Sequence, residues 1–375
     1  MKVLVARPDL VDAVVAVSTV VPTRSTQPVL ANVLLTAEDS RLTITGTDKE
    51  QSLFISIPAD VSMPGSIAVP AKKLNDVLRQ IKDGEVELDI EEFKLKILNQ
   101  GQWVKLPGMS PDDFPQAEIL REPQNSFTIE SNVLLNLMDL TAYAMSTEIT
   151  RINLSGVLWQ IFPEEMRMVA TDGHLLALVK MPMKTGFSEP FEMLLPERAA
   201  TRLQSIIAKS GVETVEITPG DGSVQFVAGR YRFQSRLITE KFPDYERVLP
   251  FDNDMVMIAD REELIEKVQL MDVVTSQITH LVRFNLEQNN LELSAQDMDT
   301  GSEGRAPMSV EYSAEPLHIG FNAKMLLNLL KHIPADRVRF AMRGPSAAAL
   351  ITPVPQPEQF EYITVLMPLR IPGEE

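Results

Sequence analysis

The sequence predicts an α+β protein of three similar domains, each with two helices packed on antiparallel sheets. Three observations predict it. One unit of about 125 residues recurs three times, each unit carries two amphipathic helices separated by alternating strands, and proline-rich stretches separate the units. A chain of 375 residues is also too long for one ordinary core, and usual domain sizes allow two or three.

Each unit opens with a short strand and a helix whose apolar residues fall on one stripe: Leu10, Val14 and Val17; Val133, Leu137 and Leu140; Leu264, Val268 and Met271. Spacings of three and four residues put these side chains on one face, which must be buried. Alternating strands follow as VLANVLLTA with RLTITGTD, INLSGVLWQ with MRMVATD, and LVRFNLE with LELSAQD. A second strand and helix come next: SIAVP then AKKLNDVLRQIKD, EMLLP then ERAATRLQSIIAKS, and LHIGF then NAKMLLNLLKHI. Their stripes are Leu74, Val77, Leu78 and Ile81; Ala200, Leu203 and Ile207; Leu326, Leu329, Leu330 and Ile333. Two further strands close each unit: VELDI and KLKIL, VEITP and SVQFVA, RVRFAM and AALIT. The linkers MSPDDFPQAEILREP and EKFPDYERVLPFDND place the domains at 1-124, 125-250 and 251-375, since boundaries fall in such exposed connections.

Composition narrows the function. The chain has no cysteine and four histidines, so no disulfide, thiolate nucleophile or cysteine-bound zinc is expected, and neither metal nor cofactor. No stretch reaches the roughly 18 apolar residues of a membrane span, and Arg7, Pro8, Asp9 and Asp12 interrupt any leader core, so a cytoplasmic protein is expected. No GxxxxGK[ST] motif occurs. ATDGH reads as a tight turn, GDGS as a hairpin turn, and QDMDTGSEG lacks the spacing of a calcium loop. No constellation of nucleophile and base points to an enzyme.

A formal charge of −17 argues against nucleic acid unless the basic residues are gathered on one surface, because exposed charges more than about 10 Å apart are screened. They are gathered. The second helices carry Lys72, Lys73, Arg79 and Lys82, then Arg198, Arg202 and Lys209, then Lys324 and Lys331, against Asp76, Asp83 and Glu197. The first helices are acidic, with Asp9, Asp12, Glu130, Asp139, Glu262, Glu263, Glu266 and Asp272 outweighing Arg7, Arg261 and Lys267. If two such chains closed head to tail with all helices inward, twelve helices of about 10 Å diameter would surround a hole of roughly 28 Å, wide enough for a hydrated duplex.

Four stretches, in order, resemble the bacterial DNA sliding clamp family, the beta subunits of DNA polymerase III: VPTRSTQPVLANVLL, RINLSGVLWQ with VATDGHLLAL, KFPDYERVLP, and VLMPLRI near the end. The resemblance runs over nearly the whole chain. It implies a head-to-tail homodimeric ring on double-stranded DNA, loaded by an ATP-driven clamp loader, that confers processivity on the replicative polymerase. It further implies that repair or translesion proteins also bind, through a linear peptide seated between domains 2 and 3. The matching pocket positions are Leu154, Thr171, Gly173, His174, Leu175, Leu176, Pro243, Arg247, Val248, Met325, Val365, Met367, Pro368, Leu369 and Arg370. Their aliphatic and thioether character suits a concave, adaptable peptide site.

The resemblance also assigns DNA contact to Arg24, and a dimer interface to Trp103 on one subunit and Val273 and Val274 on the other. The chain departs from the family at Leu175, where many members have a basic residue, so a more apolar wall is expected there. It departs again at Glu148, to which no DNA contact is carried over. The competing reading is a repeat-built interaction scaffold with no DNA partner, which leaves the basic second helices unexplained.

Overall fold

The computed structural model describes residues 1–22, 27–148 and 150–372. Each repeat follows one plan. Repeat one runs β1 (Lys2–Ala6), α1 (Arg7–Val17), β2 (Asn32–Glu38), β3 (Arg41–Thr47), β4 (Gln51–Pro58), β5 (Asp60–Met63), β6 (Gly65–Pro70), α2 (Ala71–Gln80), β7 (Glu85–Glu91), β8 (Lys94–Asn99) and β9 (Gln102–Pro107). Repeat two runs β10 (Phe127–Glu130), α3 (Ser131–Ala142), β11 (Gly156–Ile161), β12 (Glu165–Thr171), β13 (Leu175–Pro182), β14 (Phe191–Pro196), α4 (Glu197–Ser210), β15 (Thr214–Gly220), β16 (Ser223–Ala228) and β17 (Tyr231–Arg236). Repeat three runs β18 (Met255–Asp260), α5 (Arg261–Asp272), β19 (Leu281–Glu287), β20 (Asn290–Asp297), β21 (Ser302–Ser309), β22 (Glu311–Tyr312), β23 (Leu317–Asn322), α6 (Ala323–Lys331), β24 (Arg337–Met342), β25 (Ala349–Val354) and β26 (Glu361–Leu366).

The chain divides into two compact units, Met1–Leu135 with Thr201–Leu237, and Asn136–Ala200 with Ile238–Glu375. The first holds a five-stranded sheet, β5-β1-β7-β8-β9, and an eight-stranded sheet, β10-β15-β16-β17-β4-β3-β2-β6. In the longer sheet β17 pairs antiparallel with β4, Arg232 opposite Phe54, so strands of repeats one and two form one ladder. Helix α1 lies on β3 and β4 closely enough that a Cβ at Gly46 would stand 2.6 Å from Val17. The second unit holds a nine-stranded sheet, β14-β11-β12-β13-β26-β25-β24-β18-β22, and a four-stranded sheet, β21-β20-β19-β23. Here β13 pairs with β26, Leu176 opposite Val365, joining repeats two and three. Phe284, Phe321 and Phe340 meet at ring separations of 5.3 to 6.3 Å in that unit's core.

The predicted stripes of α1, α4 and α5 are buried throughout, as is that of α6 with Ile333. Two need correction. In α3, Val133 is half-buried and the stripe runs through Leu134, Leu137, Met138 and Leu140. In the first repeat α2 ends at Gln80, leaving Val77 and Ile81 half-buried. The sequence reading also missed strands: every meander has a third strand (β4, β13, β21), and every repeat closes with three strands (adding β9, β17, β26). β26 lies inside its sheet, between β13 and β25. Asp221 and Gly222 do form the β15–β16 hairpin turn.

Candidate partner-binding site

The pocket residues all lie in the second unit. Their frame begins at the β12–β13 turn. Asp172 accepts hydrogen bonds from the backbone N–H of His174 at 2.8 Å and of Leu175 at 2.7 Å. Thr171 Oγ1 donates to the Leu175 carbonyl at 2.7 Å and accepts from Gly173 N–H at 3.0 Å. Gly173 has φ of 94°, which favours glycine. Asp172 thus serves a turn, as its sequence context predicts.

The C-terminal segment leaves β26 and is pinned to that turn, Met367 N–H donating to the His174 carbonyl at 2.8 Å. Two residues on, Leu369 N–H donates to the Gly320 carbonyl at 2.7 Å. A Cβ at Gly320 would lie 2.8 Å from the Leu369 carbonyl oxygen, so only glycine admits this approach. β23 then leads into α6, where Asn322 caps the helix by accepting from Met325 N–H at 3.0 Å. The chain therefore brings Thr171, Gly173, His174, Met367, Pro368 and Leu369 into one hydrogen-bonded frame with β23.

Beneath it, Leu154, Leu176 and Val365 share one buried apolar cluster with Leu158, Phe242, Tyr245 and Leu350. Phe242 and Tyr245 lie within the KFPDYERVLP stretch but outside the pocket positions that the resemblance assigns. An aromatic pair three residues apart in a polar linker is the signal that could have found them. The 3-10 turn Tyr245–Val248 follows. Val248 is 58% exposed and Met367 44%, apolar side chains left in solvent beside a packed floor. Pro243 and Arg247 are also exposed, and Arg247 pairs with Asp244 at 2.7 Å. Met325, Pro368 and Leu369 are half-buried, and Arg370 is exposed.

Leu175 is 3% exposed, buried like its neighbour Leu176 in a run of buried residues on β13. The nearby cation is Arg151, whose Nη1 donates to the Asp172 carbonyl at 3.1 Å and whose Nε pairs with Glu148 at 3.0 Å.

The basic residues of the second helices divide into two groups. Lys72, Lys73 and Arg79 on α2, Arg198 on α4, and Lys324 and Lys331 on α6 are exposed, with no salt bridge among the described residues. Arg202 differs: its guanidinium hydrogen-bonds the Gln51 side chain and, at 2.6 Å, the Thr19 carbonyl, so it braces α4 within the first unit. Arg24 lies outside the described residues. Trp103 on β9 is 61% exposed and does not fill its own core, Val273 is 78% exposed, and Val274 is half-buried. β9 and β21 are sheet edges, each with one neighbour.

No group of histidine and carboxylate side chains among the described residues could hold a metal ion. No described helix is long and apolar enough to cross a membrane. Three repeats of one α+β design, with exposed Val248 and Met367 beside a buried apolar cluster, have the character of a repeat-built binding protein.

Residues 1–118, 128–244 and 246–370 match the N-terminal, central and C-terminal domains of the DNA polymerase III beta subunit. The beta sliding clamps of Pseudomonas aeruginosa and Caulobacter vibrioides are each 31% identical, covering 99% of this chain and 100% of theirs. A crystal structure of the P. aeruginosa clamp with ligand superposes with a TM-score of 0.93 at 30% identity, over 99% of this chain and 100% of that one. The same clamp bound to griselimycin gives 0.92 at 30% identity, with the same coverage. The chain belongs to the DNA polymerase III beta subunit family. Its role is that of a DNA sliding clamp, a non-catalytic processivity factor.

Proposed function

We propose that two copies close head to tail as a ring around double-stranded DNA and hold partners through a linear peptide seated against the C-terminal segment. The observation that carries the reading is that segment: Met367 and Leu369 are pinned by backbone bonds to the His174 turn and Gly320, while Met367 and Val248 remain exposed beside the Leu154, Leu176 and Val365 floor. A fixed wall with apolar anchors gives a peptide's side chains a preorganised seat. Thr171, Gly173, His174, Pro243, Arg247, Met325, Pro368 and Arg370 complete the rim, and Leu175 supports it from below. The replicative polymerase, the clamp loader and repair or translesion proteins share this seat. The domains are 1-124, 125-250 and 251-375, a division that the three separate family matches support.

The ring closes through two of the sheet edges. β9, with Trp103, supplies one side; β21, beside the exposed Val273 and half-buried Val274, supplies the other. An exposed edge is a template for pairing, and joining the five-stranded to the four-stranded sheet uses both. Arg24, Lys72, Lys73, Arg79, Arg198, Lys324 and Lys331 contact phosphates without sequence preference, with Arg202 bracing α4 behind them. The protein works in the cytoplasm, at the nucleoid.

Deleting Met367 onward tests the pocket. Binding of a clamp-binding peptide should fall by more than roughly thirtyfold, equivalent to removing about 2 kcal/mol of apolar anchoring, while the dimer persists. Native affinity in the truncated protein would overturn the assignment.

A further inference from the structure

The turn Tyr245–Val248 carries Arg247 and Val248 of the candidate pocket, yet it belongs to no sheet. The backbone bonds nearest it are local: Leu249 N–H to the Glu246 carbonyl at 3.4 Å, Phe251 to Leu249 at 3.1 Å, and Asn253 to Pro250 at 3.4 Å. Arg247 pairs within the same segment, with Asp244. Side chains therefore fix the turn. Tyr245 is buried in the apolar cluster, and its hydroxyl donates to Gln160 Oε1 on β11 at 2.5 Å. Glu246 accepts from Arg167 Nη1 on β12 at 2.7 Å. Arg167 is itself held: its Nε donates to Glu165 at 2.5 Å, its guanidinium lies 4.7 Å from the centre of the Phe162 ring, and it also hydrogen-bonds the Tyr245 hydroxyl.

We propose that Arg167 is a positioning residue for the peptide pocket, gripping Glu246 so that the turn presents Val248 where a partner's apolar anchor meets it. The proposal rests on the pocket reading above. β12 is already paired on both sides, with β11 and β13, so the sheet does not depend on this ion pair. Glu246 is largely exposed, at 62% of its side chain, and such a pair adds little to folding stability. Its consequence lies in the turn, whose inner side is held by Tyr245 and the adjoining Leu249 on the apolar cluster and whose outer side is held by Glu246. Releasing Glu246 loosens the outer side of the turn, which carries Arg247 and Val248. A peptide then binds a wall that it must order itself, and that cost shows mainly in the dissociation rate.

The test measures association and dissociation of an uncharged synthetic peptide with leucine and phenylalanine anchors on the full-length dimer. Arg167→Met keeps an unbranched apolar stem and removes the guanidinium with its charge. Dissociation should quicken about fivefold, the upper range for an exposed pair, with the association rate within about twofold. Glu246→Gln should act in the same direction, and the double variant should add nothing to Arg167→Met. Raising salt should quicken dissociation from the wild type more than from Arg167→Met, because only the wild type has the Arg167–Glu246 pair to screen. A dissociation rate untouched by either single variant would overturn the proposal; so would a faster rate found only with a melting temperature lowered in both. The Met367 truncation separates the two readings. Native binding by the truncated protein removes the pocket itself, whereas abolished binding there with native kinetics in Arg167→Met removes only this inference.

Discussion

Replacing Tyr362 with phenylalanine removes one oxygen from a site where its consequences can be counted. The Tyr362 hydroxyl is buried on β26 and donates to the Leu140 carbonyl at 2.9 Å. Its single hydrogen is thereby used, so in the 2.9 Å contact between the two hydroxyls Tyr143 is the donor. Leu140 lies in the last turn of α3, whose carbonyls lack intrahelical partners. Tyr143 also stacks on His332 at 4.0 Å, binding α3 of repeat two to the end of α6 in repeat three.

Tyr362→Phe leaves both the Leu140 carbonyl and the Tyr143 hydroxyl unpaired, which should cost about 2 to 3 kcal/mol. Tyr143→Phe leaves the Tyr362–Leu140 bond standing and should cost about 1 kcal/mol. For a unit of this size the melting temperature falls by about 2–4 °C per kcal/mol. The first variant should therefore melt roughly 5–10 °C below wild type, and the second roughly 2–4 °C below. Calorimetry at constant protein concentration reads both. Equal losses, or a larger loss from Tyr143→Phe, would refute this assignment of donor and acceptor.

The same pair sets an alkaline limit. Burial pushes the Tyr143 hydroxyl above its ordinary value of 10.0, and burial with the neighbouring Tyr143 pushes Tyr362 well above it. The folded state thus favours the protonated forms. Its advantage is complete below 10.0 and is lost as pH rises above it, and the double phenylalanine variant should flatten that decline.

Two more predictions concern the surfaces. Replacing Val273 and Val274 with aspartate should yield monomers by light scattering, since the change puts two charges on an edge proposed to be buried, and an unchanged dimer would remove these residues from the interface. Neutralising Lys72 and Lys73 should weaken DNA-dependent loading and lower the salt slope by about one unit for each phosphate no longer neutralised; unaltered loading at every salt concentration would make them a solvated face only.

The sequence pattern exposed the repeat because each helix must bury one stripe, and Leu10, Leu203, Leu264 and Leu326 are all fully buried. It failed where burial is two-sided. β13 reads LLALVKMP, with Leu175 to Val179 all buried, so no alternation marks it as a strand. The cross-repeat ladders β17–β4 and β13–β26 are also invisible to local pattern, because which edges meet depends on tertiary neighbours. At the site, the TDGH turn followed from Asp-Gly chemistry alone, whereas Met367 and Leu369 were reached by resemblance. Arg202 carries partners that helical spacing does not reveal, since its guanidinium donates to Gln51 and to the Thr19 carbonyl.

The most direct test of the central claim is topological. Wild-type protein loaded by an ATP-driven clamp loader onto nicked circular duplex should stay bound through gel filtration. Cutting the circle once should release it, because a ring leaves by sliding off a free end. Equal retention on circular and linear DNA would contradict encirclement, and failure to be retained on circular DNA under loading conditions would contradict it as well.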